Sequence, residues 1–387
     1  MARTIKAATS PSKAEQQRVR LDALSEVAAN FKGWQPGRKV LTPVSSVPTI
    51  FPQFDVATRV RGYPIQRVVM IHGPSNMGKT TFMLGLGRSF LERGHFYFHV
   101  DAEMTTPEPW VQENLGQMAD SPNFMAIRPH SFEETADAVR TAAERLNMLR
   151  ANGKIPADTV ALFGIDSLQK LVPKDLLKKL LDPKANKDKN IDPLKGRGGM
   201  FQAALNTAWM RELIPLLYHC NAGLVLLARE SQNPDAGMFE KDYRVGGGNA
   251  VYYDSSLVCR ITRGGWVEQG SDDNKVIIGE RHLVQIMKTK VGHKDAKVSL
   301  CYFHTSNGKL IPAGFDRARD VVELGLRAGV LTKTGNSIVD KDTGDIYGGS
   351  LNKAVVHLTA NLPELDDLQV RVLAVAQPEE TDVGAVE

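Results

Sequence analysis

From about Arg59 the chain alternates short apolar runs with stretches whose apolar residues recur every three or four positions. The runs RVVMIH (67–72), FYFHVD (96–101), VALFGID (160–166) and GLVLLA (223–228) are near-continuously apolar rather than alternating. That is the pattern of strands covered on both faces. Helical spacing lies between them, near 79–92, 131–151 and 200–219. Strand and helix in turn predict an α/β fold with a mostly parallel, doubly wound sheet. LVCRITR (257–263), HLVQIMKTKV (282–291) and KVSLCYFH (297–304) follow with short connections and read as an antiparallel extension of the same sheet.

Ahead of this core, Lys13 to Phe31 places Val19, Leu21, Leu24, Val27 and Ala28 mostly three and four apart, which predicts an amphipathic helix. Gly33, Pro36, Gly37 and later prolines make an extended connector, so the helix is expected to dock on the main domain or on a neighbouring copy. The expected organisation is a helix and connector over 1–58, a core over 59–310, a small α+β domain over 311–362 and an unstructured acidic tail over 363–387. Within the core, 174–200 and 230–249 show no pattern of their own; both are polar and rich in glycine towards their ends. Long loops inside a compact α/β domain are usually functional or disordered.

Composition narrows the class. With 387 residues, 42% hydrophobic and 24% charged, the chain is neither wholly disordered nor collagen-like nor a coiled coil. A net charge of +4 does not by itself argue for a nucleic-acid partner, so the distribution of charge must decide. Cys220, Cys259 and Cys301 lie far apart with no CxxC spacing, which leaves no basis for a disulfide framework or a zinc site and points to a reducing, cytoplasmic compartment. No apolar run reaches the roughly 18 to 20 residues of a membrane helix. The start MARTIKAATSPSK lacks the apolar stretch of a secretory signal and reads as an unstructured terminus rather than a transit peptide.

The most specific signal is Gly73-Pro74-Ser75-Asn76-Met77-Gly78-Lys79-Thr80, with Thr81 following, which matches GxxxxGK then Ser or Thr between a strand and a helix. Glycines let such a loop curl so that backbone N–H groups face phosphate oxygens, and the helix N-terminus adds its positive end. Lys79 is expected on the β and γ phosphates and Thr80 on Mg²⁺. Two carboxylates end neighbouring strands, at the edge that lines the ligand crevice of an open α/β sheet. Asp166 closes LFGID, where a carboxylate holds the shell of the Mg²⁺ ion, and Glu103 follows FYFHVDA as the candidate base for water. The plainer alternative for each is a solvated strand-end carboxylate.

GPSNMGKTT, VDAE, IDSLQKLVP and VGGGNAVYY, in this order and at these separations, resemble the RecA family of ATP-dependent DNA recombinases, as a divergent bacterial or phage member. The resemblance implies an ATP-bound helical filament on single-stranded DNA that pairs it with homologous duplex and exchanges strands. It implies that Glu103 activates water, that Asp166 stands on the magnesium side, and that Trp110 lies against adenine. Lys288 and Lys290 match paired lysines that reach a neighbouring subunit's ATP. DNA-binding loops are implied at Lys195, Arg197 and Met200, where Met200 matches a residue that wedges between bases, and at Arg244, Gly247, Gly248 and Asn249. Phosphate contacts of this kind carry no sequence information, which suits a protein that accepts any strand.

The chain departs from the family pattern where GLVLLARE ends in Arg229-Glu230 instead of Asn-Gln, the glutamine being the family's γ-phosphate sensor. An ionised glutamate cannot donate a hydrogen bond. Leu205 and Glu212 stand where basic residues are expected. The resemblance also implies a polymerisation arm at the N-terminus, and the acidic end is either a brake competing with DNA or a solubilising tail. Two other functions remain open at this point: a ring-helicase motor on the same core, and a filament scaffold or recombination mediator without useful turnover.

Overall fold

The computed structural model describes residues 12–29, 43–181, 197–234, 237, 242–270, 274–292, 295–304 and 313–376. The chain divides into two units, 1–44 and 45–387. In the first, Lys13–Ala29 is helical as expected, but it is not amphipathic. At about 100° per residue Val19 and Leu21 project to nearly opposite sides, and both are exposed together with Leu24.

The second unit is built on one large sheet. Its strands are β3 (Val68–Gly73), β4 (Phe96–Asp101), β5 (Phe124–Ile127), β6 (Ala161–Asp166), β7 (Ala222–Gln232), β8 (Tyr243–Val245), β9 (Leu257–Gln269), β10 (Val276–Thr289), β11 (Lys297–Phe303) and β12 (Gly314–Phe315); a small pair, β1 (Ser46–Val47) with β2 (Tyr63–Pro64), stands apart from it. The order is β12-β11-β10-β9-β3-β7-β6-β4-β5, with β8 on the outer end of β7. From β9 through β3 to β5 neighbours run parallel, and from β9 to β12 they run antiparallel. The expected α/β sheet and its antiparallel extension are therefore both present. Helices Lys79–Leu91, Phe132–Ala151 and Arg197–His219 connect the parallel strands.

Three expectations change. The connector was to run to residue 58, yet residues 45–58 belong to the core unit: Pro52–Ala57 is a wholly buried helix, and Phe51 and Phe54 pack on Phe82 with ring centroids 4.7 and 5.3 Å apart. Asp55 anchors this turn by accepting from the Thr49 N–H and hydroxyl, each at 2.7 Å. Of the expected tail over 363–387, residues 377–387 lie outside the described residues, and the part before them is a helix, Leu362–Val375, whose Leu365, Leu368 and Val372 are buried. These join Val321, Leu331, Ile338 and Leu358 in one cluster, formed with helices Arg317–Ala328 and Leu351–Ala360 and the strands β13 (Leu331–Thr334), β14 (Ser337–Asp340) and β15 (Ile346–Gly348). Val56 belongs to the same cluster, and the Gln53 N–H donates to Asp320 at 3.1 Å, so the C-terminal elements are knitted to the core rather than set off from 311 onward. Thirdly, 174–200 is not patternless: Lys174–Leu181 is helical and the next helix already begins at Arg197.

Gly73 ends β3 where a Cβ would stand 2.2 Å from the Ile261 carbonyl on β9, so the strand and its loop can sit this close only with glycine. Gly78, at φ 79°, turns the chain into the helix Lys79–Leu91. In the sheet register Gly73 lies beside Arg229 and Asp101 beside Asp166. The carboxyl ends of β3, β4, β6 and β7 thus meet at one place.

Candidate active site

At that place is a cavity of about 420 Å³, lined by Ser75 to Thr81, Glu103, Trp110 and Asp166, with Ser167 and Arg229 beside them and His282 and Tyr302 added from antiparallel strands the sequence did not single out for it. Lys79 Nζ donates to the carbonyls of Gly73 and Pro74 at 3.0 and 2.6 Å, folding the loop about its own ammonium. Burial lowers the pKa of that ammonium, against the opposing pull of Asp166 and Glu230. An anion entering the loop would exchange these carbonyl contacts for charge-assisted ones.

Thr80 Oγ1 donates to Asp166 Oδ2 at 2.5 Å. Burial pushes the Asp166 carboxyl up to about 6, opposed by the Thr80 hydrogen bond and reinforced by the charges of Glu103 and Asp101. A hydroxyl beside a buried carboxylate, under surplus negative charge, is an oxygen-only donor set that fits Mg²⁺ with most of its waters retained. Asp101 itself fixes the turn after β4: it accepts from the Thr105 and Thr106 N–H groups, each at 3.2 Å, and from Arg128 Nε at 3.0 Å.

Glu103 stands on that turn, tied by its N–H to the Asp166 carbonyl at 3.0 Å. Its carboxylate accepts both Nε and Nη2 of Arg229, at 3.0 and 2.5 Å, and the Ser167 hydroxyl. Burial raises its pKa, but the hydrogen bonds from Arg229 and Ser167 and the Arg229 charge outweigh it, and the carboxyl lies below its ordinary value. Glu230 takes another course: His72 Nδ1 lies 2.7 Å away and Arg260 grips it at 2.8 and 3.1 Å. Burial opposes ionisation there too, yet His72 and Arg260 bring the carboxyl down to about 2. Arg260 in turn lies 4.2 Å over the Tyr243 ring.

Trp110, on helix Glu108–Leu115, faces the cavity beside Tyr302 with ring centroids 6.1 Å apart. The Tyr302 hydroxyl donates to Glu113 at 2.8 Å. Lys288 and Lys290 are not brought to this cavity. Lys288 Nζ donates to the carbonyls of Tyr252, Tyr253 and Ser255 at 2.8, 2.6 and 3.0 Å, and Lys290 Nζ to that of Asp254 at 3.4 Å. They cap the C-terminal end of helix Asn249–Asp254.

Of the expected DNA-facing residues, Lys195 lies outside the described residues, and Arg197 and Met200 fall in the first turn of helix Arg197–His219 rather than in a loop. The next turn of that helix is held against the segment that follows β6, since Gln202 Nε2 donates to the carbonyls of Leu168 and Leu171 at 3.1 and 3.2 Å. Arg244 is in β8, Gly247 and Gly248 turn at φ 99° and 87°, and Asn249 opens the following helix. Asn206 Nδ2 donates to the Gly247 carbonyl at 2.9 Å, so the two segments adjoin. The expected patternless stretch from 230 is partly a hairpin, β7 with β8.

Residues 31–306 match the RecA N-terminal domain family, well over half of the chain. The chain belongs to the RecA family. It is similar to the RecA protein of Corynebacterium urealyticum, 27% identical over 380 residues, 96% of this chain and 90% of that one. It is also similar to those of Geobacter sulfurreducens, 26% over 298 residues (77% and 76%), and Marinobacter nauticus, 26% over 355 residues (90% of each). As a RecA family member the chain is an ATPase of DNA recombination and repair. No helix among the described residues is long and apolar enough to cross a membrane.

Proposed function

We propose that this chain binds ATP with Mg²⁺ in the cavity described, polymerises as a helical filament on single-stranded DNA, and pairs that strand with homologous duplex. The observation that carries the reading is the convergence of a phosphate loop, the Thr80–Asp166 pair and Glu103 in one cavity, to which the Gly246–Asn249 segment is tied by its Gly246 N–H donating to the Arg229 carbonyl of β7 at 3.0 Å. In this reading the backbone N–H groups of the loop cradle the phosphates, and Lys79 leaves the Gly73 and Pro74 carbonyls for the β and γ oxygens. Thr80 and Asp166 would hold Mg²⁺, which would supply neutralisation of phosphate charge. Glu103 takes the proton of the attacking water, and Trp110 with Tyr302 offers an aromatic wall to the base.

Lys288 and Lys290, which do not meet the cavity of their own chain, are assigned to the ATP of a neighbouring copy, which makes turnover depend on assembly. Lys195, Arg197, Met200, Arg244, Gly247, Gly248 and Asn249 are assigned to DNA, and the activity to the cytoplasm. Such binding rests on phosphate contacts and should weaken steeply with salt. The test is a joint-molecule assay with ATP, single strands and duplex partners. Product with the homologous duplex alone is expected. Strand separation without pairing would favour the helicase reading, and no product with either duplex would favour a scaffold.

A further inference from the structure

Arg229 stands where the pairing of β7 with β3 ends, beside Gly73 in the sheet register, and its guanidinium reaches across the cavity to Glu103. Two parallel N–H···O contacts and the Ser167 hydroxyl occupy three of the roughly four lone-pair sites of that carboxylate. A general base needs an open lone pair within hydrogen-bond reach of its water and a basicity close to the working pH. A bidentate cation diminishes both. As it stands, Glu103 is held in place but withheld from water.

The same arginine is joined to the glycine segment by its backbone. The Gly246 N–H donates to the Arg229 carbonyl at 3.0 Å, and the next residues pair in register, Glu230 with Val245 and Ser231 with Arg244. Adjacent on the strand, the two charged side chains differ in freedom: Glu230 is 5% exposed and clamped between His72 and Arg260, whereas Arg229 is 51% exposed and held through Glu103. Glu230 thus fixes the strand while Arg229 can turn about it. Gly247 and Gly248, both at positive φ, let the segment change course at low backbone cost. A displacement there has its first hydrogen-bonded connection to the cavity at the Arg229 carbonyl.

We propose that Arg229 is a positioning residue that acts through Glu103: its salt bridge keeps the carboxylate from the attacking water, and DNA held by the Gly246–Asn249 segment draws it away. The inference rests on the reading that Glu103 activates water in this cavity. It gives the Arg-Glu pair, which stands where the family has Asn-Gln, two separate tasks: Glu230 as the fixed anchor and Arg229 as the moving latch. Coupling between the DNA segment and the cavity then runs through an ion pair, with no need for an amide side chain.

The test is ATP hydrolysis by the full chain with and without single-stranded oligonucleotide, for the parent protein, R229Q, R229K and E103Q. R229Q, which frees the Glu103 carboxylate from the two-pronged grip, is expected to hydrolyse ATP without DNA on the order of tenfold faster, a part of what a positioned general base contributes, and to lose DNA stimulation by the same factor. R229K, which keeps the charge but not the two-pronged grip, is expected to fall between. A bridge that merely supports the fold would not release hydrolysis from its dependence on DNA when it is removed, nor be partly restored by lysine. Arg229 is half-exposed, and equal ADP affinity in R229Q and parent establishes that the variant is folded. An R229Q rate without DNA equal to or below the parent's, with stimulation intact, overturns the latch while an inactive E103Q leaves the site reading standing. Full activity in E103Q removes both.

Discussion

Glu103→Gln is expected to lower ATP turnover on the order of 10²- to 10⁴-fold, the usual contribution of a positioned general base, while ATP and DNA still bind. The amide is nearly the same size, can still accept from Ser167 and from one nitrogen of Arg229, and cannot take a proton. Its backbone tie to the Asp166 carbonyl is untouched. Arg229 loses its charged partner but is half-exposed, so water can replace what is lost and the fold should survive. Steady-state hydrolysis together with equilibrium binding of a fluorescent ATP analogue checks this. Full turnover in the variant would take Glu103 out of the chemistry.

Lys79→Ala is expected to weaken ATP binding itself, by roughly 30- to 3,000-fold. Truncating one partner of a desolvated charge pair costs about 2–5 kcal/mol, and each 1.4 kcal/mol is about tenfold. The ammonium is bound to the Gly73 and Pro74 carbonyls, and the sequence 73–81 contains no other lysine or arginine. The loop's shape survives because it depends on Gly73 against Ile261 and on the left-handed Gly78. Calorimetric titration with ATP is the check. Undiminished affinity would place the triphosphate somewhere other than this loop.

What could be read from the sequence was whatever neighbouring residues determine. β3, β4 and β6 stand within a residue of their expected limits because near-continuous apolar runs have no other stable use in a sheet covered on both faces. The phosphate loop, Glu103 and Asp166 were legible for the same reason: each lies just after such a run. The helix Pro52–Ala57 was hidden because its polar residues Gln53 and Asp55 are buried by partners, Asp320 and Thr49, that local pattern does not reveal. Tyr302 and His282 reach the cavity from antiparallel strands nearly 200 residues beyond Trp110 and the loop. Two signals for helix are nonetheless present in the sequence: Leu365, Leu368 and Val372 have helical spacing among Glu364, Asp366 and Asp367, and Leu176, Leu177, Leu180 and Leu181 have it within 174–181. The Arg229 grip on Glu103 had no sequence signal: it follows from the register that sets β7 between β3 and β6.

The triphosphate in this cavity is expected to set the hold of the chain on DNA. A ligand shifts such an equilibrium only through different affinities for its two states. The most direct measurement is the affinity of Glu103→Gln, which should keep its triphosphate intact, for a single-stranded oligonucleotide with ATP and with ADP, read alongside its sedimentation. Tighter binding and large assemblies with ATP, and weaker binding with ADP, are expected. Equal affinity with the two nucleotides, or a chain that stays monomeric with both ATP and oligonucleotide present, would contradict the account.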